Sequence, residues 1–322
     1  MSRRPGSVIA WMPRNQRSAS LATALGFELR LLGRKGYRRP WTAPIFYPLL
    51  ALRTIGHLVA ARPRAVIVVA PPFVASLVAL PVARLLGARV AIDIHSGAFM
   101  DRRWQWSVPI LVRLGQMSDA AIVTLPSLAA RLGASATVVT LPAPWAAVAA
   151  EPGAPPPAPR PTAGPTVVAV CGWGDDEPIE ALIEAATGED WRLVITGNPR
   201  RQLVLPSNAM TTGYLADAEY LRLLSEASIV VVLTTREETT LSGVWEAVML
   251  GRPLVTSGTR SLRETLGPEI TYVDPVPASI RAGVARVLAN PAAAEAASQN
   301  VARVVRQATH EQLERLRAAL VP

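Results

Sequence analysis

The chain has 322 residues, of which half are hydrophobic, and a formal net charge of +9. At about 100 to 200 residues per domain, this length predicts two domains, and the hydrophobic fraction excludes a disordered or fibrous protein. Cys171 is the only cysteine, which excludes an internal disulfide and every multi-cysteine zinc site. A reducing cytoplasm fits this composition.

The charge is divided unevenly along the chain. Residues 1–150 contain 18 basic and 4 acidic residues, a balance of +14, whereas residues 151–322 contain 15 basic and 20 acidic residues, a balance of −5. The two halves are therefore expected to face different partners. No helix-turn-helix, zinc-finger or RNA-binding signature accompanies the basic half, so a nucleic-acid partner is not predicted.

The N-terminal part of the chain contains no evident export signal, because Met1 to Arg17 lack a continuous apolar core. Ala65 to Ala83 are uncharged and long enough to cross a bilayer, but three prolines interrupt them. This stretch is predicted to form a strand, a turn and a helix.

Short β-branched runs alternate with longer amphipathic stretches through both halves, which is typical of parallel sheets covered by helices. The predicted strands of the first half are Ser7–Trp11, Phe27–Leu32, Ala65–Ala70, Arg89–Ile94, Ala120–Thr124 and Ala136–Leu141. Those of the second half are Thr166–Cys171, Trp191–Thr196, Ile229–Leu233, Pro253–Ser257 and Ile270–Val273. The fold class predicted is α/β, with two doubly wound Rossmann-like domains.

A proline-rich segment, AAEPGAPPPAPRPTAGP at residues 149–165, separates the two halves and is expected to be an extended connector. The predicted domains are residues 1–148 and 166–322, the second ending in one or two helices from Pro291 to Leu320. Two such domains are expected to face each other across a cleft at the carboxyl ends of their strands, where open α/β sheets bind ligands.

The most informative segment is Arg236 to Pro253, REETTLSGVWEAVMLGRP. Glu238 is predicted on the loop after a strand, and Glu246 in the first turns of a helix that starts at Ser242 or Gly243. The free N–H groups of that helix start suit a diphosphate, and the carboxylates suit sugar and ribose hydroxyls. A charged loop followed by an ordinary helix is the alternative that this spacing leaves open.

This segment, with the Ser-Gly turn at Ser257 and Arg263-Glu264 after it, resembles the donor half of family 4 glycosyltransferases, which have the GT-B fold. The resemblance assigns Glu238 to the sugar, Glu246 to the ribose, and the backbone of Leu241, Ser242 and Gly243 to the phosphates. The segments CGWGDDEPI, from Cys171, and ITGNP, from Ile195, extend it. Gly172 and Trp173 then belong to a donor-site loop.

Two segments of the first half, APPF from Ala70 and DIHSGAF from Asp93, resemble polyprenyl-linked chitobiose mannosyltransferases. Asp93 and His95 end a buried strand. The histidine is expected to bind the acceptor or steady the sugar, and the aspartate to take the acceptor proton if the reaction inverts. Phe99 is placed on the acceptor side. A polar pair that only fixes a loop is the alternative.

The chain departs from the family 4 pattern at two places. Trp173, Asp175 and Asp176 stand where an arginine and a lysine usually neutralise the leaving diphosphate, so Arg200, Arg201 and Arg236 are the candidates for that charge, with solvated surface arginines as the alternative. PRNQRS, from Pro13, replaces a glycine-rich turn and is expected to contact acceptor phosphate through Arg14, Asn15 and Arg17.

No metal site or other cofactor is predicted, because the sequence contains neither an Asp-x-Asp motif nor a histidine pair at ligand spacing. Arginine and the helix start are expected to meet the leaving-group charge.

A basic and aromatic stretch between Arg34 and Arg62 is typical of a segment that lies on an anionic bilayer, where a lipid-linked acceptor is presented. Its members include Lys35, Trp41, Phe46, Tyr47 and Arg53, and Arg102 to Trp106 extend the same character. An amphipathic helix packed on its own domain is the alternative. The sequence predicts a cytoplasmic enzyme on the inner face of the membrane.

The predicted function is sugar transfer from a nucleotide-sugar to a glycan or lipid-linked acceptor in cell-surface glycan or glycolipid synthesis. The residues leave open whether the anomeric configuration is retained or inverted. The alternatives are a nucleotide-sugar epimerase and a catalytically silent GT-B subunit at the membrane, which the altered loop at 173–176 keeps open.

Overall fold

The computed structural model describes residues 5–33, 43–133, 137–142, 164–239 and 241–321, and most of the predicted connector lies outside these ranges. The chain divides into two compact units. One comprises Met1–Ala149 and Arg306–Pro322, and the other comprises Ala150–Val305.

The first unit alternates strands and helices along the chain. Its elements are β1 (Gly6–Ala10), α1 (Gln16–Leu25), β2 (Glu28–Leu31), α2 (Ala43–Ala61), β3 (Ala65–Ala70), α3 (Phe73–Leu85), β4 (Arg89–Ile94), α4 (Ser96–Met100), α5 (Arg102–Gln105), α6 (Val108–Met117), β5 (Ala120–Val123), α7 (Pro126–Leu132) and β6 (Thr137–Thr140).

The six strands of the first unit form a parallel sheet in the order β2-β1-β3-β4-β5-β6. One apolar cluster joins one face of the sheet to α2, α3, α6 and α7, through side chains such as Leu58, Leu80 and Leu111. A second cluster packs α1 on the opposite face, through Leu21. The sheet is therefore covered on both faces, as parallel sheets require.

The second unit has the same alternation. Its elements are β7 (Thr166–Ala169), α8 (Ile179–Ala186), β8 (Arg192–Ile195), β9 (Ala209–Thr211), α9 (Asp217–Glu226), β10 (Ile229–Val232), α10 (Ser242–Met249), β11 (Leu254–Ser257), α11 (Arg260–Leu266), β12 (Thr271–Val273), α12 (Pro277–Ala289) and α13 (Pro291–Leu320). The strand order is β12-β11-β10-β7-β8-β9, again parallel throughout.

The end of the chain differs from the predicted domain boundary. The segment after residue 305 belongs to the first unit rather than to a domain 166–322. The physical reason is the apolar stripe Leu313, Leu316 and Leu320, which is buried in the cluster that contains α1. Their spacing of three and four residues places these leucines on one face of α13.

All eleven predicted strands are present, with ends that differ by at most two residues from those of the structure. The prediction for Ala65 to Ala83 is confirmed, since these residues form β3 and most of α3. The three-residue edge strand β9 has no alternating pattern and was not predicted from the sequence.

Candidate functional site

The second sheet has a topological switch point between β7 and β10. The chain leaves β7 toward β8 on one side, and β10 continues to β11 on the other side. The loops after these two strands diverge there, and open α/β sheets bind ligands in the crevice that such loops leave. The predicted donor residues that follow β7 and β10 lie at this position, whereas Arg200 and Arg201 follow β8.

A carboxylate closes the loop after β7 on itself. Glu177 accepts hydrogen bonds from the backbone N–H groups of Gly172, at 2.8 Å, and Gly174, at 2.7 Å. Between them, Trp173 has a positive φ of 60° and a buried side chain whose Nε1 donates to the carbonyl oxygen of Thr196, at 2.9 Å. In this structure the Gly172 N–H group is bonded to Glu177 and the Trp173 ring is buried in the core, so their donor contacts stay a prediction.

Asp176 links this loop to the loop after β10. Its carboxylate accepts a hydrogen bond from the Thr234 hydroxyl at 2.6 Å, and its backbone oxygen accepts one from the Thr235 N–H at 2.8 Å. Arg236 forms an ion pair with the same carboxylate at 3.3 Å. The charge of Arg236 is thus shared with a protein acid and is not wholly available to a diphosphate.

The start of α10 lies close to the end of β7 because residue 243 is glycine. A Cβ at Gly243 would come within 2.6 Å of Cγ1 of Val170, well inside van der Waals contact. Leu241 is the N-cap, and its side chain makes no capping hydrogen bond. The first N–H groups of α10 are the kind of donors that bind anions, and Ser242 beside them is exposed.

Glu246 lies in the second turn of α10 and is half-buried. The phenol of Tyr220, on α9, donates a short hydrogen bond to its Oε2 atom. Burial raises the pKa of Glu246 above its usual value, and the hydrogen bond from Tyr220 opposes that shift. The pKa of Tyr220 is also raised, first by burial and then by the adjacent carboxylate.

Glu238 lies on the loop between β10 and α10, where the sequence predicts it, and is half-buried. Of the other predicted cations, Arg200 is exposed and Arg201 is paired with Glu180 on the surface. A small pocket lies at the ends of β7 and β10, with Cys171, Glu177, Ile179 and Leu233 among its lining residues.

The first unit contains a buried ionic cluster at the end of β4. Asp93 has no exposed surface, and it binds the Arg17 guanidinium at 3.1 Å and Nε2 of His95 at 3.0 Å. Burial favours the neutral acid, yet Arg17 and His95 together hold the pKa of Asp93 well below its usual range. Arg17 also donates to the backbone oxygen of Leu141.

This geometry corrects two expectations for the acceptor half. Asp93 was expected to take a proton from the acceptor, but a fully buried carboxylate of lowered pKa is a poor base and orients His95 instead. Arg17 was expected at an acceptor phosphate, but its side chain is buried on Asp93. His95, which is partly exposed, is the member of the cluster that faces outward.

The remaining acceptor candidates are spread over different surroundings. Arg14 is exposed, whereas Asn15 caps α1 by accepting from the Ser18 N–H at 3.2 Å and donates to Sδ of Met12. Phe99 is a correction, because its ring is buried in the core of the first unit, beneath the guanidinium of Arg131. A core phenylalanine does not contact an acceptor directly.

Among the described residues, no group of three histidine, cysteine, aspartate or glutamate side chains is arranged to hold a metal ion.

Two residues of this site were not singled out from the sequence, and a third was given a different role. Tyr220 reaches Glu246 across 26 positions, and Glu177 and Asp176 shape the loop after β7. Asp176 was named only as an acid where a cation usually neutralises the diphosphate, and Glu177 was given no role. Tyr220 gives no sequence signal, since only the folded chain brings its phenol to Glu246.

Residues 177–320 match a protein-family model described as glycosyl transferase-like. The match covers β8 to β12, α10 and both Glu238 and Glu246. None of the curated protein sequences is similar enough to this chain to match it. The second half of the chain is therefore glycosyl transferase-like by sequence, in agreement with the resemblance inferred from its motifs.

Solved structures share the fold of the whole chain. Sucrose-phosphate synthase from Thermosynechococcus elongatus is 16% identical, with a TM-score of 0.70 over 98% of this chain and 97% of that one. A putative UDP-N-acetylglucosamine 2-epimerase from Listeria monocytogenes is 13% identical, with a TM-score of 0.68 over 98% and 96%. Anabaena HepE in complex with UDP and glucose is 10% identical, with a TM-score of 0.65 over 98% and 99%.

These likenesses confirm the predicted fold class, a two-domain α/β protein of the GT-B type. Together with the family match they support sugar transfer as the general activity. The similarity of the first half to polyprenyl-linked mannosyltransferases stays a prediction.

Proposed function

We propose that this protein is a metal-independent hexosyltransferase that moves a sugar from a nucleotide-sugar to a lipid-linked or glycan acceptor at the cytoplasmic face of a membrane. The observation that carries the proposal is the meeting of the Glu238 loop and the start of α10, with Glu246, at the switch point of the second sheet. The family match covers this same segment.

The donor is assigned to the second unit from the chemistry of these groups. The N–H groups at the start of α10 and its positive dipole end attract the diphosphate. Glu246, held by Tyr220, suits a ribose hydroxyl because an anchored carboxylate accepts hydrogen bonds in a fixed direction. Glu238 suits a sugar hydroxyl. The structures of HepE with UDP support a nucleotide diphosphate as the ligand class.

Leaving-group charge is assigned to the helix start and to arginine rather than to a divalent ion. Preorganised donors stabilise a developing anion without reorganising during the reaction. Arg200 is the preferred candidate of the three predicted arginines, because the charges of Arg201 and Arg236 are already paired with Glu180 and Asp176. Transfer activity that persists in EDTA is the matching expectation.

The acceptor is assigned to the first unit, with His95 as the contacting group. Asp93 and Arg17 are positioning residues, since they fix the imidazole without being exposed themselves. The bond from Nε2 of His95 to Asp93 leaves Nδ1 as the nitrogen for a ligand. This cluster does not indicate whether the anomeric configuration is retained or inverted. The configuration of the product distinguishes the two outcomes.

A thermal-shift screen with UDP-, GDP- and TDP-sugars tests the donor assignment, because a ligand that binds only the folded state raises Tm by mass action. Nucleotide-sugars of one base are expected to raise Tm, and the enzyme is expected to hydrolyse them or to transfer their sugar. Glu246→Gln and Glu238→Gln are each expected to lower kcat/KM by at least about tenfold, since each removes a charged hydrogen-bond partner.

Glu311→Gln is the matched control, because Glu311 is an exposed glutamate on α13 outside this site. It is expected to leave the Tm shift and the activity unchanged. If no nucleotide-sugar shifts Tm, or if Glu238→Gln and Glu246→Gln behave like the control, the donor assignment is wrong.

Nucleotide-sugar epimerisation is the second candidate, favoured by the structural likeness to two proteins named UDP-N-acetylglucosamine 2-epimerase. The reaction product separates the two activities. An epimerase changes the donor sugar without any acceptor, whereas a transferase releases nucleoside diphosphate in proportion to the product formed. A catalytically silent subunit would do neither and would still bind its partners.

A further inference from the structure

The helices on one side of the first sheet have an apolar outer face. Each of α2, α3 and α6 exposes large hydrophobic side chains at helical spacing, and the clearest are Ile45 at 73%, Leu52 at 66% and Leu85 at 87% exposure. Leu49, Val59, Leu77, Ile110 and Met117 continue these stripes. We define this set of eight residues as the apolar face. Soluble monomers rarely expose so many large apolar side chains together, and such patches mark interaction sites.

The apolar face belongs to one layer of the first unit. Helix α3 packs against α2 and α6, so the three stripes lie side by side. Trp106, 64% exposed, follows α5 and packs edge-to-face on Phe73 at the start of α3, with ring centroids 5.3 Å apart. An exposed tryptophan beside an apolar patch is typical of the boundary between water and lipid headgroups.

The charges around the apolar face are mostly positive. Residues 43–117 contain eight arginines and only two acids, Asp93 and Asp101. Asp93 is fully buried, and Asp101 is half-buried. Arg53, Arg84 and Arg113 each lie on one of the three helices and are exposed, as is Arg102 next to Trp106. This charge complements an anionic surface.

Helix α2 is also long and apolar enough to cross a membrane over Pro44–Ala61, and 17% of this segment is buried. Its inner side is committed to the sheet, however. Leu50 and Leu58 lie in the core, and the Thr54 hydroxyl accepts a hydrogen bond from Nε1 of Trp11 at 2.9 Å. A helix that spans a bilayer would lose these contacts, whereas one that lies flat on the surface keeps them.

We propose that the apolar face docks the first unit onto an anionic lipid bilayer, with the side chains of α2, α3 and α6 in the headgroup region and the arginines on lipid phosphates. This inference extends the proposed function. Only the idea that docking brings the enzyme to a lipid-linked acceptor rests on that function. Vesicle binding is measured without donor or acceptor, so its outcome is independent of any test of sugar transfer.

The test is flotation of the full chain with phosphatidylcholine vesicles that do or do not contain phosphatidylglycerol. The wild type is expected to float with the anionic vesicles and to dissociate at high salt. Leu52→Asp and Leu85→Asp are each expected to weaken binding by about tenfold or more, since each removes a leucine from the lipid. Arg53→Gln is expected to weaken binding by about fivefold, to anionic vesicles only.

Val204→Asp is the matched control, because Val204 is a 95% exposed apolar residue in the second unit. It is expected to bind vesicles like the wild type. All variants change exposed side chains, and thermal unfolding verifies that they fold. Binding of Leu52→Asp at wild-type strength would overturn the proposal. A concentration-dependent dimer that Leu52→Asp abolishes, with no vesicle binding, would also overturn it, since a second copy would then cover the face.

Discussion

The Tyr220 phenol donates its hydrogen bond to a Glu246 carboxylate whose pKa burial has already raised. The two residues come from successive helices of the second unit, α9 and α10. A half-buried acid that is costly to ionise, yet held in one orientation by a donor, is typical of a binding site, where stability is given up for function. The first prediction follows from this cost.

Replacing Glu246 with glutamine is expected to raise Tm at pH 7 to 8 by about 2 °C, because the amide keeps an acceptor for Tyr220 without a charge to desolvate. Above the usual glutamate pKa of about 4.3, the unfolded chain loses this proton more readily than the folded one, so the wild type loses stability as pH rises. The advantage of the variant is therefore expected to vanish below about pH 4. Thermal unfolding at several pH values measures it.

Glu311→Gln, which changes an exposed glutamate, serves as the control and is expected to show no such pH-dependent gain. A Glu246→Gln variant with a lower Tm at pH 7.5 than the wild type would show that the ionised carboxylate stabilises the fold, against this prediction.

The ionic cluster of the first unit gives a prediction of opposite sign. Asp93→Asn leaves the Arg17 guanidinium buried without a counter-charge, and breaking a buried pair in this way costs about 3 to 5 kcal/mol. Because the pKa of Asp93 is lowered in the folded state, its contribution is complete above about pH 4 and is lost as pH falls further. Urea unfolding at pH 7 and at pH 3 measures both effects.

The difference between Asp93→Asn and the wild type is expected to shrink at the lower pH. The double variant Arg17→Met, Asp93→Asn is expected to recover part of the loss, since it removes the unpaired charge. Equal losses in the single and the double variant would show that the pair itself, and not the orphaned arginine, accounts for the stability.

The sequence predicted the scaffold well because the signals for a buried parallel strand are local. Ala65 to Ala70 are a continuous apolar run, and Arg89 to Ile94 are apolar apart from Arg89 and Asp93; both predicted strands match β3 and β4 at both ends. Asp93 stood out as a charge inside such a run. Its pairing with Arg17, 76 positions away, did not, because only the packing of α1 on the sheet brings the two together, and Arg17 was assigned to acceptor phosphate instead.

The candidate site shows the same division between local and distant signals. Glu238 and Glu246 were visible from their spacing within one strand-loop-helix segment. Tyr220 was not visible, and Glu177 was quoted only within the segment CGWGDDEPI, although it accepts hydrogen bonds from two N–H groups of that loop. Phe99 and Trp173 were assigned to ligands because their motifs resemble those of known enzymes. In the structure both rings are buried in the cores of their units.

Gly243→Ala tests the close approach of α10 to β7. The added Cβ would lie within 2.6 Å of Val170, so α10 must shift, and such overpacking costs about 1 to 3 kcal/mol. Donor affinity is expected to fall as well, because the helix start moves. Combining it with Val170→Ala, which removes the opposing methyl groups, is expected to restore both properties in part. A Gly243→Ala variant with unchanged Tm would show that the two elements have room to separate.

The loop after β7 depends on the Glu177 carboxylate, which accepts from two backbone N–H groups at once. Glutamine offers a single oxygen there, so Glu177→Gln is expected to weaken the loop by about 1 kcal/mol and to speed hydrogen exchange at the Gly172 and Gly174 amides by about fivefold. Glu180→Gln, which changes an exposed glutamate at the start of α8, is the matched control and is expected to leave both exchange rates unchanged.

Donor affinity gives a second measurement on the same variant. The Gly172 and Gly174 N–H groups already donate their hydrogen bonds to Glu177. The diphosphate is therefore expected at the start of α10 instead. Glu177→Gln should therefore change nucleotide-sugar affinity less than Glu246→Gln does. A larger loss in Glu177→Gln, with unchanged amide exchange, would mean that the carboxylate contacts the donor itself and that the loop is held by Trp173 and Asp176 alone.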